Sequence, residues 1–417
     1  MGVPGTGRYP RVLLLRVGVA VTSFSKSVTA SIDQAASSAL VRPPSPRYHP
    51  NRTRSGGIRV ANWRRAAAAG IILAFLTSLP VLAHAQAFYP VRPLGPLTTQ
   101  PQASSGKGWR SLRLPAYAQV VQVGESGLLI SEFPDSGDGF RQRIILVNPE
   151  TGRTTLIKNL PAGAEAPAAA VGGHYLAYEN ALLRNGAYHA VTLLNWASAQ
   201  GRPLLTLPAS TYSVGPIRGL TIQGHTVYWL STILTSQGLV SRVYRADLSR
   251  GRAHVVYSVQ QKSSGTLLVA MAAGPDGLWL SADTTEGGSL WLWSYRARRI
   301  IRRIPVPHAP ILLYGASPGG IVFSADYSAA PLNSAGPYPV YALNPIAHDV
   351  RMLTTRSDPG GLASVSGDWV AIDGLGIQSE VLNFKTHRRL VFAMPQAIVG
   401  GGWLVVRNHG GIHWRKL

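Results

Sequence analysis

Short apolar strands opened by Gly-containing turns recur through most of the chain, and this repetition constrains the fold more than any other feature. From residue 111 onward no segment keeps a helical period over 12 residues, whereas runs such as GLLISE (127–132) and GLWLSAD (277–283) alternate with polar turns. Each repeat also has a polar turn after a later strand, and these turns lie at Asn148, Asn195, Asp247, Tyr295, Asn344 and Asn383. Successive turn positions are 47, 52, 48, 49 and 39 residues apart.

This spacing predicts the fold class. A repeat of about 40–50 residues with four strands is typical of a β-propeller blade, in which each sheet packs against two neighbours around an axis. Seven apolar strands of this kind occur, but the last repeat ends at Leu417 after its third strand. The segment SLRLP (111–115) has the character of a fourth strand and precedes the first repeat. We therefore predict an all-β, seven-bladed propeller closed by this N-terminal outer strand joining the C-terminal blade. A six-bladed ring is the alternative.

Two of the repeats resemble those of TolB-type and WD-repeat-like propellers. In the stretches 274–304 and 317–355, a Gly-containing turn precedes a strand ending in Ser-Ala-Asp, and a polar turn and a basic segment follow. The pattern covers most of 111–417 and is looser in the other five blades. The resemblance implies an extracytoplasmic propeller used as a docking surface. Neither the α/β domain of TolB nor the hydrolase domain of related peptidases is recognisable.

The chain carries an export signal ahead of the repeats. Arg64 and Arg65 precede an apolar run from Ala66 to Ala83, and Ala83-His84-Ala85 is an A-x-A cleavage sequence. We expect residues 60–85 to be a signal peptide cleaved after Ala85, which makes the protein secreted or periplasmic. An uncleaved membrane anchor is the alternative, because the run of roughly 18 residues is at the lower limit for crossing a bilayer.

The segments around this signal complete the predicted domain organisation. Residues 1–59 are rich in Ser, Pro and Arg and form either a disordered extension or a mis-assigned start, with a cytoplasmic tail as the alternative. Residues 86–110 are rich in Pro, Ser and Gly and predict a linker. Residues 111–417 form the propeller.

Composition excludes some chemistry and leaves binding open. The chain has no Cys, so disulfides, zinc–thiolate sites and thiol nucleophiles are absent. The net charge is +22, and residues 86–417 contain 29 Lys and Arg against 17 Asp and Glu. A basic surface can bind anions. Arginines interleaved with aromatic residues, which favour nucleic acid, are absent from the main basic segment, so we do not expect a nucleic-acid partner.

Acidic or amide residues end most of the apolar strands. They are Glu132, Glu179, Asp283, Asp326, Asp373 and Asn408. In a propeller these ends lie on one face around the central channel. The pattern predicts a polar ring that binds a cation, an amine or a peptide N-terminus, and a channel-bound divalent cation is left open as the one candidate cofactor. The alternative is that each side chain caps the N–H groups of its own turn.

A second candidate site is an anion patch. The arginines of YRARRIIRRIP (295–305) are Arg296, Arg298, Arg299, Arg302 and Arg303. They predict binding of polysaccharide or lipid headgroups, or, as the alternative, charges that protect an edge strand from aggregation.

No catalytic signature accompanies these sites: GESGL (124–128) lacks the G-x-S-x-G pattern. The sequence thus favours a monomeric, non-catalytic scaffold that binds a protein, a peptide or a cell-envelope polymer. Membrane contact is expected only through an uncleaved signal segment. The alternative is a propeller enzyme, a lyase or glycoside hydrolase, that uses the carboxylates of the channel face.

Overall fold

Seven sheets arranged as consecutive blades make up the described chain. The computed structural model describes residues 88–115, 118–133, 141–182, 187–206, 212–213, 217–249, 252–307, 311–325, 339–354, 363–373, 378–394, 396–408 and 410–417. The expected extension, signal peptide and cleavage position all lie outside these residues. Within the described ranges, no helix is long and apolar enough to cross a membrane.

Three N-terminal strands precede the blades. They are β1 (Val91–Pro93), β2 (Thr98–Gln102) and β3 (Arg110–Arg113). Blade 1 follows with β4 (Gln119–Gly124), β5 (Gly127–Glu132), β6 (Arg143–Val147) and β7 (Thr154–Asn159). Blade 2 contains β8 (Ala164–Glu165), β9 (Ala169–Gly172), β10 (Tyr175–Leu182), β11 (Ala187–Asn195) and β12 (Gln200–Thr206).

The next two blades flank a one-turn helix. Blade 3 contains β13 (Tyr212–Ser213), β14 (Arg218–Gln223), β15 (Thr226–Thr235), β16 (Gly238–Asp247) and β17 (His254–Gln260). The helix α1 (Gln261–Ser264) leads into blade 4, which contains β18 (Leu267–Ala273), β19 (Gly277–Thr284), β20 (Gly287–Ser294) and β21 (Ile300–Val306).

Three blades complete the ring. Blade 5 contains β22 (Leu312–Ser317), β23 (Gly320–Ser324), β24 (Val340–Asn344) and β25 (Asp349–Thr354). Blade 6 contains β26 (Ala363–Ser366), β27 (Trp369–Asp373), β28 (Ser379–Asn383) and β29 (Arg388–Phe392). Blade 7 contains β30 (Gln396–Gly400), β31 (Trp403–Asn408) and β32 (Gly411–Lys416).

The strand nearest the axis is counted as the first strand of its blade, so the short strands β8 and β13 that precede it in blades 2 and 3 are left out of this numbering. Neighbouring blades contact each other chiefly through β4, β9, β14, β18, β22, β26 and β30. The apolar strands that define the repeat in the sequence are therefore the second strands, one position further out. They are almost fully buried, as in GLLISE of β5, because both of their faces pack against neighbouring blades.

The predicted closure of the ring is confirmed. Strand β3 pairs antiparallel with β32, with Arg110 opposite Trp414 and Arg113 opposite Gly411. The N-terminal strand thus supplies the fourth strand that blade 7 lacks. On the other side of this junction, the Trp414 indole Nε1 donates a hydrogen bond to the Pro149 carbonyl of blade 1 at 2.9 Å. Blades 7 and 1 are therefore joined by main-chain pairing and by a buried side chain.

The described part of the predicted linker, residues 88–110, contains two strands paired with the propeller and the beginning of β3. Strand β1 pairs parallel with β25 at the outer edge of blade 5, and β2 pairs parallel with β29 at the outer edge of blade 6. Between them, Leu94 is buried in the apolar cluster shared by these two blades. Prolines 93 and 101 fit here because proline is tolerated in edge strands. The open edges of blades 5 and 6 offer unpaired N–H and C=O groups, and these groups are what orders the Pro-rich segment.

Candidate functional site

The predicted ring residues lie where the second strand of a blade ends beside the beginning of its first strand. In blade 4, for example, Leu267 of β18 lies opposite Asp283 of β19. Glu132, Glu179, Asp283, Asp373 and Asn408 share this position, and we call the face that carries them the upper face. Asp326 lies outside the described residues.

Three of these carboxyl groups hydrogen-bond to the next blade. Both carboxyl oxygens of Glu179 in blade 2 accept a hydrogen bond from the backbone N–H of Ile217, at 3.1 and 3.0 Å. Asp373 in blade 6 accepts one from the N–H of Ala397 at 3.1 Å. Asp283 in blade 4 accepts one from the N–H of Ile311. Each N–H lies at the beginning of the next blade's first strand, so these acids join neighbouring blades.

Uncharged side chains do the same at two further boundaries. The Gln142 Oε1 of blade 1 accepts a hydrogen bond from the Ala166 N–H at 2.6 Å. The Ser241 Oγ of blade 3 accepts one from the Leu268 N–H at 3.2 Å. The innermost edge of a sheet would otherwise leave buried N–H groups without acceptors, which is costly. Neither residue ends a second strand, so the sequence pattern gave no reason to include them.

Burial raises the pKa of the three blade-joining carboxyl groups. The pKa of Glu179 rises to about 8, that of Asp373 to about 7 and that of Asp283 to about 6. Desolvation disfavours the charged form and outweighs the hydrogen bond from the backbone in each case. Glu179 therefore keeps its proton at neutral pH, and its carboxyl group still accepts the Ile217 N–H.

The remaining two predicted ring residues are engaged within their own blades. Glu132 is buried and forms an ion pair with Arg143, opposite it in β6, at 3.0 Å. The Asn408 Oδ1 accepts a hydrogen bond from the Gly410 N–H at 2.9 Å, and its Nδ2 donates to the His413 Nε2 at 3.1 Å. Asn408 thus caps its own turn, as the alternative interpretation of the ring expects. The predicted ring residues do not share one role.

One place on the upper face brings a cation close to a buried acid. Arg218 of β14 donates from its Nη1 to the Val269 carbonyl in blade 4 at 3.0 Å. Its pKa is lowered by burial, and its charge interacts with Asp283, whose Oδ1 has no hydrogen-bond partner among the described residues. No group of three His, Asp or Glu side chains in the described ranges is arranged to hold a metal ion.

The predicted anion patch divides into two parts. Arg296, Arg298 and Arg299 are exposed in the turn between β20 and β21. Arg302 donates to the Pro345 carbonyl of blade 5 at 2.5 Å, and Arg303 stacks 4.5 Å from the centre of the Trp291 ring. The first three arginines are available to a partner, whereas the other two hold the outer strand against its surroundings. This strand, β21, is the outermost strand of blade 4 in the described chain, so protection of an edge also fits.

No family model and no curated protein sequence matches the chain. Among solved structures, it is similar to an oligogalacturonate lyase from Vibrio parahaemolyticus, with 10% identity, a TM-score of 0.48 and coverage of 75% of this chain and 92% of that one. TolB from Acinetobacter baumannii has 13% identity, a TM-score of 0.38 and coverage of 69% and 79%. The β-propeller domain of the Trilobed protease from Pyrococcus furiosus has 12% identity, a TM-score of 0.42 and coverage of 58% and 77%. These likenesses concern the fold and say nothing of activity.

Proposed function

We propose that the protein is an exported, non-catalytic scaffold that binds a protein, a peptide or a cell-envelope polymer on the surface of its propeller. The observation that carries this proposal is the use of Glu179, Asp283 and Asp373 at blade boundaries. Export is supported by the sequence pattern that predicts a signal peptide ending at Ala85.

Catalysis by carboxylates needs two of them facing one substrate. A glycoside hydrolase uses a general acid and a second carboxylate at a fixed separation across the scissile bond. Here each of the three acids accepts a backbone N–H from a different blade, and Glu132 is paired with Arg143. Acids that are committed to these contacts are poorly placed to exchange protons with a substrate in the channel.

Closure of the ring supports a scaffold role as well. Strands β1, β2 and β3 lie across the outer edges of blades 5, 6 and 7, so the first described residues hold three consecutive blades. A surface that changes little on binding loses little conformational entropy when a partner docks.

The test compares binding with turnover. The chain from Gln86 and its E179Q/D283N/D373N variant are mixed with acidic and neutral polysaccharides, and both retention on the polymer and release of new chain ends are measured. We expect no new chain ends from either protein and the same retention for both. If the unmodified protein shortens a polymer and the variant does not, the scaffold function is wrong and the protein is an enzyme.

The second candidate function is a lyase or hydrolase centred on Asp283. The observation in its favour is the unpartnered Oδ1 of Asp283 beside Arg218, both with pKa values shifted toward the neutral form. A general acid or base needs such a shifted pKa and a free oxygen. This function predicts that D283N alone abolishes turnover, whereas D373N, at an equivalent position, leaves turnover intact.

A further inference from the structure

The lower rim of blades 4 and 5 combines exposed apolar side chains with exposed arginines. The lower rim is opposite the upper face and carries the turns between third and fourth strands. We define the lower rim patch as Phe88, Ile301, Ile346, Arg296, Arg298 and Arg299. Phe88 is 50% exposed, Ile301 51% and Ile346 85%. Isolated exposed apolar residues are ordinary, but a group of them among like charges marks an interaction surface.

A hydrogen bond and a ring contact at this rim involve residues that adjoin members of the patch in the chain. Arg302 of β21, next to Ile301, donates to the carbonyl of Pro345, which directly precedes Ile346. The Tyr89 ring stacks on His348 with 4.9 Å between ring centres, which places Phe88 beside the same turn. Arg296, Arg298 and Arg299 belong to the equivalent turn of blade 4.

The charge of this surface is positive. Among the described acids, Asp349 pairs with Arg351 at 2.7 Å and the backbone carbonyl of Asp276 accepts a hydrogen bond from the Tyr295 N–H beside the blade 4 turn. Arg92 extends the basic surface, because 71% of its side chain is exposed. Its contact with Asp349 is long, at 4.0 Å. The three arginines of the blade 4 turn form no ion pair with any described residue.

We propose that the lower rim patch docks on an anionic lipid bilayer, with Ile346 and Phe88 entering the headgroup region and the arginines contacting lipid phosphates. This inference rests on the proposed export and deepens the scaffold function by naming the surface that the protein occupies. Peripheral binding requires both components that the patch has, apolar side chains to insert and cations to attract the surface. A soluble polyanion would bind to the arginines alone, and an isoleucine that is 85% exposed would contribute nothing to that binding.

The position of the patch in the chain fits this partner. The apolar run Ala66–Ala83 ends five residues before Phe88. Five residues span at most about 18 Å. Until it is cleaved after Ala85, this run therefore keeps Phe88 within about 18 Å of the membrane surface.

The experiment measures sedimentation of the chain from Gln86 with lipid vesicles. This form contains all the propeller strands and lacks the apolar run, which would bind lipid by itself. Vesicles of phosphatidylcholine alone are compared with vesicles containing one third phosphatidylglycerol. We expect binding to the anionic vesicles alone, weakening as salt is added because the attraction is screened.

Two variants and one control locate the binding site. I346D should reduce the partition coefficient at least about tenfold, and R296E/R299E by about 25-fold or more, since each cation near an anionic membrane contributes roughly fivefold. Arg298 stays unchanged because its backbone φ of 53° lies in the left-handed region. The control is R153E/L156D on blade 1, where Leu156 is 51% exposed, like Ile301. The control should bind as the unmodified protein does.

Three results would overturn the proposal. The first is no binding of the unmodified protein to anionic vesicles at low salt. The second is a loss of vesicle binding in the control that equals the loss in the patch variants. The third is vesicle binding that I346D leaves unchanged and that a soluble polyanion abolishes. The last result assigns the arginines to a soluble polyanion and leaves the scaffold function standing. Shortening of a polymer in the polysaccharide experiment would reject the scaffold function, independently of the result with vesicles.

Discussion

The carboxyl group of Asp373, at the end of the second strand of blade 6, accepts a hydrogen bond from the backbone N–H of Ala397, in the first strand of blade 7, at 3.1 Å. Glu179 and Asp283 have the same relationship with Ile217 and Ile311. At these three blade boundaries the acidic residue near the end of a second strand thus links its blade to the next one. These contacts give a structural reason for the recurrence of acids at this position.

Replacing Asp373 by Asn should stabilise the protein at pH 8. Asn keeps an oxygen that accepts the Ala397 N–H and removes a charge that burial disfavours. The pKa of Asp373 is about 7, so the carboxyl group is mostly ionised at pH 8. We expect the free energy of unfolding from urea titration to rise by about 1–3 kcal/mol. The exposed Asp276 provides the control, since D276N should leave the free energy of unfolding unchanged. If D373N instead destabilises the protein, the charge of Asp373 is itself needed for stability.

Stability should increase as the pH falls from 8 toward 5. Glu179, Asp283 and Asp373 have pKa values of about 8, 6 and 7 in the folded protein, raised by burial above those of the unfolded chain. Their contribution to stability is complete below the unfolded values, near 4, and is lost as the pH rises through the folded values. Melting temperatures across this range should therefore slope less steeply in E179Q/D283N/D373N. Parallel slopes for the two proteins would contradict these pKa values.

The repeat was enough to predict the seven blades and the closure by residues 111–115, because strand period and turn spacing are local properties. The outer strands β1 and β2 were missed since their residues, such as Pro93 and Pro101, carry no strand pattern. They pair only because edges of distant blades are open. Gln142 and Ser241 were missed for a related reason: their acceptor role depends on which N–H the next blade presents.

Limited tryptic digestion of the whole chain should leave residues 88–110 attached to the propeller. Strands β1 and β2 are paired, and Leu94 is buried between blades 5 and 6, so the segment up to residue 110 is protected. The N-terminus of the stable fragment can be read by sequencing. L94D should release the segment and move the stable N-terminus to about residue 107–111, where Lys107 and Arg110 offer tryptic sites. A fragment beginning there in the unmodified protein would mean that these strands do not hold the propeller.

Trp414 should matter more for stability than a tryptophan whose indole N–H is bonded within its own blade. Its Nε1 donates to the Pro149 carbonyl across the junction of blades 7 and 1, whereas the Trp291 Nε1 donates to the Ser289 hydroxyl two residues away. W414F should leave a buried carbonyl unsatisfied and cost about 1–3 kcal/mol beyond the lost packing. W291F is the matched control. An equal loss of stability in both variants would show that the hydrogen bond across the junction contributes no more than the one within blade 4. Thermal unfolding of the two variants measures the difference.

Hydrogen exchange at the backbone amides of Ile217, Ile311 and Ala397 tests most directly whether the acids join the blades. These N–H groups donate to carboxyl groups of the preceding blade, so they should exchange slowly in the native protein. D373A should release the amide of Ala397 and leave those of Ile217 and Ile311 protected, while D373N should keep all three slow. Fast exchange at Ala397 in the unmodified protein, or protection there that survives D373A, would contradict the account and return the acids to the list of candidate ligand-binding groups.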